Sequence, residues 1–194
     1  SKGISINVIF DMVQEIRKSS EIPIILMGYM NPILRYGVSD FCKKAASVGV
    51  DGLILPDIPV EESGLIEQEA SENNLPIIYL VAPNTTDERM ILADQKSDGF
   101  VYCVSVTGVT GARDGNEVSN SVSKFIERVR VNVTKNPVLV GFGIKSYDDA
   151  KAIASNADGF IVGSALIDTI RKSYPNENWK KDVFSFVHSL KFGK

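Results

Sequence analysis

Six short apolar runs constrain the fold of this chain more than any other feature of its sequence. Each run has the length of a β-strand and is rich in Ile, Val, Leu, Phe and Tyr, without regular alternation with polar residues. This pattern is typical of strands that are buried on both faces of a parallel sheet. The sequence therefore predicts an α/β protein. The runs cover residues 23–29, 52–57, 76–82, 99–105, 137–143 and 159–163.

Helical patterns fill the intervals between the runs. Most runs start 22 to 29 residues after the previous one, which is the length of one compact βα unit. Ser5 is a candidate N-cap for the first helix, and Gly49 is a candidate C-cap for the next. The first helix is expected to bury one face, and a C-terminal helix another, with His188 on its wet side. These faces consist of Ile6, Ile9, Val13 and Ile16, and of Trp179, Val183, Phe186, Val187 and Leu190. Further helix starts are predicted at Ser39-Asp40, at Thr86 and at Ser146, where Asp149 occupies the capping-box position.

Glycine-rich breaks follow the last three runs. They are Ser105–Gly111, which reads SVTGVTG, then Gly141-Phe142-Gly143 and Gly163-Ser164. Glycine allows a backbone to approach an anion closely, because no Cβ stands in the way. Gly163-Ser164 also opens a helical segment, whose first N–H groups lack partners within the helix and attract anions. These breaks predict a backbone cup for a phosphate group.

The position of the glycines favours one of two α/β architectures. Phosphate loops after the last two strands are the recurrent arrangement of the (β/α)8 TIM barrel, whereas an open nucleotide-binding sheet places its glycines after the first strand. We therefore expect residues 1–194 to form a single TIM-barrel domain. A barrel has eight strands, and about six βα units are present here, so we expect the N-terminal strands 1 and 2 to be missing.

Composition excludes several classes of function. Hydrophobic residues make up 44%, charged residues 23%, and the net charge is −3, so binding of nucleic acid through bulk positive charge is not expected. No apolar stretch reaches the ~18 residues of a membrane span, and we expect no membrane partner. Cys42 and Cys103 are predicted to be buried free thiols, which fits a reducing, cytoplasmic location. The single histidine, His188, argues against a metal site.

Six motifs together resemble the family of tryptophan synthase alpha subunits. They occur in order along the chain, and the resemblance runs from about Gly3 to the C-terminus. In combination they are far more specific than any single glycine loop. The motifs are MGYMNPILRYG (27–37), LPDIPVEES (55–63), VAPNTTDER (81–89), SVTGVTGAR (105–113), GFGI (141–144) and VGSALI (162–167).

The resemblance implies a function. Members of this family cleave indole-3-glycerol phosphate to indole and glyceraldehyde 3-phosphate in tryptophan biosynthesis. They pass the indole to a beta subunit in an alpha2-beta2 complex. The alpha subunit carries no cofactor, since pyridoxal phosphate belongs to the beta subunit. By the family pattern, the phosphate lies on Gly111, Gly143, Gly163 and Ser164, and the indole end is lined by Tyr29, Leu80, Tyr102, Thr110 and Phe142.

The catalytic carboxylates of the family have no counterpart in this chain. The reaction needs a base for the indole N–H and an acid for the ring carbon, and two carboxylates can serve. The resemblance implies that a glutamate and an aspartate from the missing N-terminal segment do so. Asp57 ends the run LILPD on the expected catalytic face. We expect Asp57 to have a supporting role, forming hydrogen bonds or ordering a loop.

Alternatives remain open at this point. Without its two carboxylates the chain could be an inactive fragment that binds phosphate or the beta subunit. It could also be another phosphate-binding TIM-barrel isomerase or synthase, although the VAPNTTDER and SVTGVTGAR motifs disfavour that hypothesis. The glycine loops could be simple turns, and Tyr29 and Tyr102 could fill the barrel interior.

Overall fold

Strands and helices follow one another along the described part of the chain. The computed structural model describes residues 3–104, 115–141, 143–154 and 156–193. In chain order the elements are α1 (Ile6–Arg17), β1 (Ile25–Met27), α2 (Met30–Tyr36), α3 (Val38–Val48), β2 (Gly52–Ile54), α4 (Gly64–Glu72), β3 (Ile77–Ile78), β4 (Leu80–Val81), α5 (Asp87–Lys96), β5 (Val101–Cys103), α6 (Gly115–Asn132), β6 (Val138–Val140), α7 (Tyr147–Ala154), β7 (Gly159–Phe160), α8 (Ser164–Ser173) and α9 (Trp179–Phe192). The consecutive elements of one kind are α2 and α3, β3 and β4, and α8 and α9.

The described residues fall into two compact units. The first comprises the chain up to Leu80 together with Leu92–Phe100, and the second comprises Val81–Ile91 together with the residues from Val101 onward. One sheet has the strand order β1-β2-β3 and the other the order β4-β5-β6-β7. The pairs β1/β2, β2/β3, β5/β6 and β6/β7 are parallel. The predicted parallel α/β organisation is confirmed.

The third apolar run differs from its prediction. Residues 76–82 form two separate two-residue strands, β3 and β4, which belong to different sheets. Tyr79 lies between them, and its amide donates a hydrogen bond to Ser97 Oγ (3.1 Å). Because this amide is bonded to a side chain, it does not extend a strand ladder. The other five runs each contain one strand, shorter than predicted.

Most helix termini agree with their sequence signals, but α3 begins at Val38 with Gly37 as its N-cap, so Ser39 and Asp40 lie inside the helix and not before it. Ser5 caps α1, since its side chain accepts a hydrogen bond from the Val8 amide (3.4 Å). Gly49 ends α3 in the left-handed conformation (φ 92°), which favours glycine. Ser146 and Asp149 form the predicted capping box at α7. Ser146 Oγ accepts from the Asp149 amide (3.2 Å), and Asp149 Oδ2 accepts from the Ser146 amide (2.9 Å).

The buried faces of the first and last helices are only partly as predicted. In α1 the fully buried residues are Phe10 and Val13, while Ile16 is 44% exposed. The reason is that Phe10 packs on Phe41 of α3, with ring centroids 5.4 Å apart, and this turns Ile16 outward. In α9 Leu190 is buried and His188 is exposed as predicted, but Val187 is 49% exposed.

Both cysteines are buried and free, as predicted. Burial, assisted by the nearby charge of Glu69, raises the pKa of Cys42 to about 11. Burial also raises the pKa of Cys103 to about 12, against a smaller opposing effect of Arg130. Since the thiolate is the reactive form, both cysteines are unreactive at neutral pH.

An arginine–aspartate clamp at the end of α1 holds the start of the first sheet. Arg17 forms an ion pair with Asp51 and donates from Nε to the Gly49 carbonyl (2.9 Å). Asp51 in turn accepts a hydrogen bond from the Ile24 amide (2.7 Å), just before β1. We call Arg17 and Asp51 the first clamp. It joins the end of a helix to the beginnings of two neighbouring strands.

A second clamp repeats this pattern at the end of α6. Arg130 binds Asp158 through two hydrogen bonds (2.8 and 2.9 Å) and donates from Nε to the Asn156 carbonyl (3.2 Å). Asp158 accepts from the Val138 amide (2.7 Å) at the start of β6. In each clamp the carbonyl bound by Nε lies two residues before the aspartate. We call Arg130 and Asp158 the second clamp.

Candidate active site

A cavity of about 790 Å³ in the second unit contains most of the predicted phosphate site that the structure describes. Gly143, Gly163 and Ser164 all line it, and so does Tyr102 from the predicted indole end. Gly143 follows β6, Gly163 and Ser164 follow β7, and Tyr102 lies within β5. Three neighbouring strands therefore bring these residues to one place, as carboxyl ends of parallel strands do.

The two glycines contribute in different ways. Gly143 has a φ of +72°, a left-handed conformation that costs energy for residues with a Cβ. Gly163 has an ordinary φ of −114°, and a Cβ placed on it would meet no atom within 4 Å. Gly163 is thus not required by backbone conformation. A side chain at this position would project into open space where the cavity begins.

The start of α8 provides the amide groups of the candidate site. Gly163 is the N-cap and forms no side-chain cap, and the first turn contains no acidic residue. Ser164 and Ala165, the first two residues of α8, line the cavity. The N–H groups and the positive end of the helix dipole therefore favour an anion here.

Tyr102 explains the glycine at position 141. A Cβ on Gly141 would lie 2.5 Å from Tyr102 Oη and 2.7 Å from Tyr102 Cζ, so any other residue here would displace the ring of Tyr102. Burial raises the pKa of Tyr102, so its hydroxyl stays protonated at neutral pH. Tyr102 thus presents a neutral aromatic surface and a hydroxyl group to the cavity.

Asp57 organises a helix start in the first unit. Its two carboxylate oxygens lie 3.1 and 3.0 Å from the Met30 amide, which donates to them. Met30 is the first residue of α2, and its N-cap, Tyr29, offers no side-chain hydrogen bond to the helix. Asp57 therefore supplies the cap from the loop that follows β2. Tyr29 is 65% exposed, and Leu80 is half-buried in β4.

Comparison with known proteins identifies the family of this chain. The family model described as Tryptophan synthase alpha chain matches residues 1–192. The chain belongs to the tryptophan synthase alpha chain family. It is 42% identical to the alpha chain of Thermoanaerobacter sp. (strain X514) over 191 residues, which are 98% of this chain and 71% of that relative. It is 43% identical to the alpha chain of Christiangramia forsetii, over 97% of this chain and 72% of the relative.

Solved structures of this family have the same fold. The alpha chain of Legionella pneumophila is 35% identical and superposes with a TM-score of 0.83, over 97% of this chain and 69% of that one. A tryptophan synthase complex from Pyrococcus furiosus is 32% identical, with a TM-score of 0.84, over 97% of this chain and 74% of that one. These similarities confirm the predicted barrel class. They also support the tryptophan synthase alpha subunit over another barrel isomerase or synthase.

Several residues that the family resemblance assigns to the site lie outside the described residues. These are Gly111 of the phosphate set and Thr110 and Phe142 of the indole set. The segment Ser105–Gly111 is likewise outside the described part of the chain.

Charged residues at the same cavity were missed by sequence reasoning. Lys145, Asp168 and Lys172 all line it. A signal was available, because Lys145 directly follows the GFGI motif of the alpha chain family. Asp168 and Lys172 lie four and eight residues after Ser164, which places them on one face of α8. Motif reading alone does not reveal that this face borders the cavity.

A second cavity, of about 530 Å³, lies in the first unit beside a polar cluster of Ser63, Glu67, Tyr79 and Lys96. Glu67 accepts hydrogen bonds from Tyr79 Oη (2.6 Å), Ser63 Oγ (2.8 Å) and Lys96 Nζ (3.0 Å). Burial alone raises the pKa of Glu67, but these hydrogen bonds outweigh it and lower the pKa below the ordinary value. Because the polar groups of this cluster bind one another, the cluster connects α4 and α5 to Tyr79, between β3 and β4.

The described residues offer neither a membrane-spanning helix nor a metal site. In the part of the chain that the structure describes, no helix combines the length and apolar character needed to cross a membrane. Among these same residues, no group of three or more His, Cys, Asp or Glu side chains is arranged to hold a metal ion.

Proposed function

We propose that this chain binds indole-3-glycerol phosphate for the alpha reaction of tryptophan synthase. The observation that carries the proposal is the single cavity lined by Gly143, Gly163, Ser164 and Tyr102. Backbone amides at the start of α8 and the Gly143 turn bind the phosphate, and the ring of Tyr102 faces the indole. Gly111, Thr110, Phe142, Tyr29 and Leu80 complete the proposed contacts.

The reaction is a retro-aldol cleavage. The bond between the indole ring carbon and the glycerol phosphate side chain breaks, and the ring carbon gains a proton. The side-chain hydroxyl loses a proton and becomes the aldehyde of glyceraldehyde 3-phosphate. A base at the indole N–H and an acid at the ring carbon are needed. We propose that Asp57 is a positioning residue rather than the acid or base, because its carboxylate is engaged by the Met30 amide.

Within these 194 residues no carboxylate matches the catalytic glutamate or aspartate of the family. We propose that the 194 residues alone bind the substrate without cleaving it. We further propose that residues 1–194 belong to one barrel domain, which is supported by the continuous family match over residues 1–192. The proposed alpha reaction uses no cofactor.

The proposed partner is a tryptophan synthase beta subunit, which carries pyridoxal phosphate. The similarity to a chain of the Pyrococcus furiosus tryptophan synthase complex supports this assignment. The two buried free thiols are consistent with a reducing compartment, and we propose that the reaction takes place in the cytoplasm.

A lyase assay tests the catalytic part of the proposal. Purified chain of 194 residues is incubated with indole-3-glycerol phosphate, with and without beta subunit, and indole release is measured. We expect binding of the substrate but no indole release. Indole release at a measurable rate would show that catalysis does not depend on the two family carboxylates.

A pair of glycine variants tests the phosphate site. Gly163→Val places a side chain at the start of the cavity, and we expect it to weaken binding of sn-glycerol 3-phosphate by more than about tenfold, because its methyl groups occupy the anion position. Gly64→Val is the matched control, since a Cβ on Gly64 also meets no atom within 4 Å and Gly64 also lies at a helix start. Equal affinities of the two variants in titration calorimetry would contradict the proposed phosphate site.

A further inference from the structure

We propose that Lys145 supplies the positive charge that binds the phosphate dianion in the cavity beside α8. This inference rests on the proposed function, and it adds a full positive charge to the proposed phosphate site. A cup made only of glycine amides offers partial charges, whereas a nearby ammonium group adds a full charge and a charge-assisted hydrogen bond. Lys145 would thus decide how strongly the site prefers a dianion to an uncharged ligand.

Lys145 borders the candidate phosphate site. Lys145 lies two residues after Gly143 and lines the same cavity as Gly163 and Ser164. Its side chain is exposed to solvent rather than packed into the core. A lysine side chain in this situation can direct its ammonium group toward a ligand while its stem rests on the protein.

The backbone of Lys145 is held in place by the packing of its neighbour Ile144 and by a hydrogen bond of its own amide. Ile144, the preceding residue, is only 5% exposed and packs in a cluster with Ala150 and Leu190. The Lys145 amide donates to Asp149 Oδ2 (3.0 Å). The backbone of Lys145 is therefore fixed beside the cavity, and only the side-chain torsions are ordered when the ammonium group binds an anion.

The carboxylate of Asp149 is the nearest competitor for this ammonium group. The hydrogen bond from the Lys145 amide, followed by that from the Ser146 side chain, lowers the pKa of Asp149, so it is ionised at neutral pH. Its Oδ2 already accepts the Lys145 amide, the Ser146 amide and Ser146 Oγ (2.8 Å). Among the residues that the structure describes, the Lys145 ammonium forms no ion pair within 4.0 Å. The charge of the Lys145 ammonium also contributes to lowering the pKa of Asp149, as the last and smallest cause. Asp149 thus anchors the backbone of Lys145 and attracts its ammonium group only weakly, without a direct ion pair.

The other charged residues at the cavity are Asp168 and Lys172. Lys172 lies eight residues after Ser164, which is about 12 Å along the axis of α8 at 1.5 Å per residue. Asp168 lies between them, within 4.0 Å of Arg171 and one turn before Lys172. The backbone of Lys172 is therefore remote from the helix start. Lys145 is the lysine of this cavity that lies beside the Gly143 turn.

Titration calorimetry with sn-glycerol 3-phosphate on the 194-residue chain tests this assignment. We expect Lys145→Gln to weaken binding about fivefold to tenfold and to reduce the dependence of affinity on salt concentration, since one charge contact is lost. We expect Lys145→Arg to stay within about twofold of the unmodified chain, because the charge is retained. Lys151→Gln is the matched control. Lys151 is an exposed lysine of α7 that does not line the cavity, and its loss should change affinity by less than about twofold.

The outcomes separate this inference from the proposed function. If the unmodified chain binds glycerol 3-phosphate and Lys145→Gln binds it equally well, the role of Lys145 is overturned and the phosphate site stands. If Lys172→Gln weakens binding more than Lys145→Gln, the charge has been assigned to the wrong lysine. If the unmodified chain does not bind glycerol 3-phosphate, the proposed site and this inference both fail. Circular dichroism of each variant verifies that the fold is retained, so that an affinity change reports the site.

Discussion

The two arginine–aspartate clamps show how one local pattern acquires different strengths in two regions of the molecule. Both join the end of a helix to the beginnings of two strands, and in both the arginine Nε binds a carbonyl two residues before the aspartate. In the first unit the clamp is Arg17 with Asp51, and in the second it is Arg130 with Asp158. The two clamps differ in burial and in the number of carbonyl groups that the guanidinium binds.

The arginine of the first clamp is the more deeply buried of the two. The Arg17 side chain is 17% exposed, against 42% for Arg130, whereas Asp51 is 48% exposed, against 38% for Asp158. Arg17 also donates to the carbonyls of Ser20 (3.2 Å) and Ile22 (2.6 Å) in addition to that of Gly49. An exposed ion pair contributes little, whereas each hydrogen bond to a partly buried carbonyl adds to stability. The bonds of Arg17 to Gly49 and Ser20 are partly buried, and that to Ile22 is exposed. Local environment, not the sequence of the pair, therefore determines how much each clamp stabilises the fold.

Of the substitutions compared, Arg17→Ala is expected to lower the free energy of unfolding most. This change removes the donors of three carbonyls and the partner of Asp51. We expect a loss of about 2 kcal/mol in the free energy of unfolding, since water replaces part of these hydrogen bonds. Urea denaturation measures this loss, and hydrogen exchange at the Ile24 amide reports it locally. A smaller loss of stability for Arg17→Ala than for Arg130→Ala would show that the second clamp stabilises the fold more than the first.

Arg130→Ala is expected to have a smaller effect, of about 1 kcal/mol, because both side chains of the second clamp are more than a third exposed and are screened by water and salt. The effect should decrease further in high salt, whereas that of Arg17→Ala should decrease less. Urea denaturation at two salt concentrations measures both, and hydrogen exchange at the Val138 amide localises the change to the second unit.

The second clamp also predicts a pH dependence. The hydrogen bond from the Val138 amide, then those from Arg130, outweigh burial and lower the pKa of Asp158 from its ordinary value of 3.8. A lowered pKa in the folded state gives a stabilisation that is present above pH 3.8 and disappears as the pH falls through the folded value. Unfolding free energies measured from pH 5 to pH 2 should therefore fall less steeply for Asp158→Asn than for the unmodified chain. Equal slopes would show that Asp158 has the same pKa in both states.

Lys18→Gln is expected to change the free energy of unfolding least. Lys18 follows Arg17 directly and pairs with Glu15 (2.5 Å), but both side chains are at least 70% exposed. Such a pair contributes little to stability, and we expect no change beyond experimental error in urea denaturation. A loss comparable to that of Arg17→Ala would mean that general positive charge at the end of α1, rather than the hydrogen bonds of Arg17, stabilises the first sheet.

Much of the fold was predictable because local signals dominate it. Apolar runs mark strands, and residues such as Ser5, Gly49 and Asp149 mark helix ends, since their effects act over a few residues. The split of the third run at Tyr79 was not predictable, because it depends on Ser97, 18 residues further along the chain. The outward rotation of Ile16 likewise depends on packing between α1 and α3.

The candidate site was predictable where glycine chemistry acts locally. Gly143, Gly163 and Ser164 were expected to meet, and they line one cavity with Tyr102. Lys145 was not singled out, because a lysine after a loop motif is by default a solvated side chain. Only its presence at that cavity distinguishes it from the other surface lysines.

The sequence by itself determined the succession of strands and helices, the parallel class of the sheets, the family and the positions of the glycine loops. These properties follow from periodicity, capping and backbone freedom, which act between near neighbours. Tertiary structure alone decided which polar side chains are paired across the chain. It assigned Asp57 to the Met30 amide, 27 residues away, and Arg17 to Asp51, 34 residues away. Such pairings depend on how distant strands are brought together, because hydrogen bonds require atoms to meet within about 3 Å.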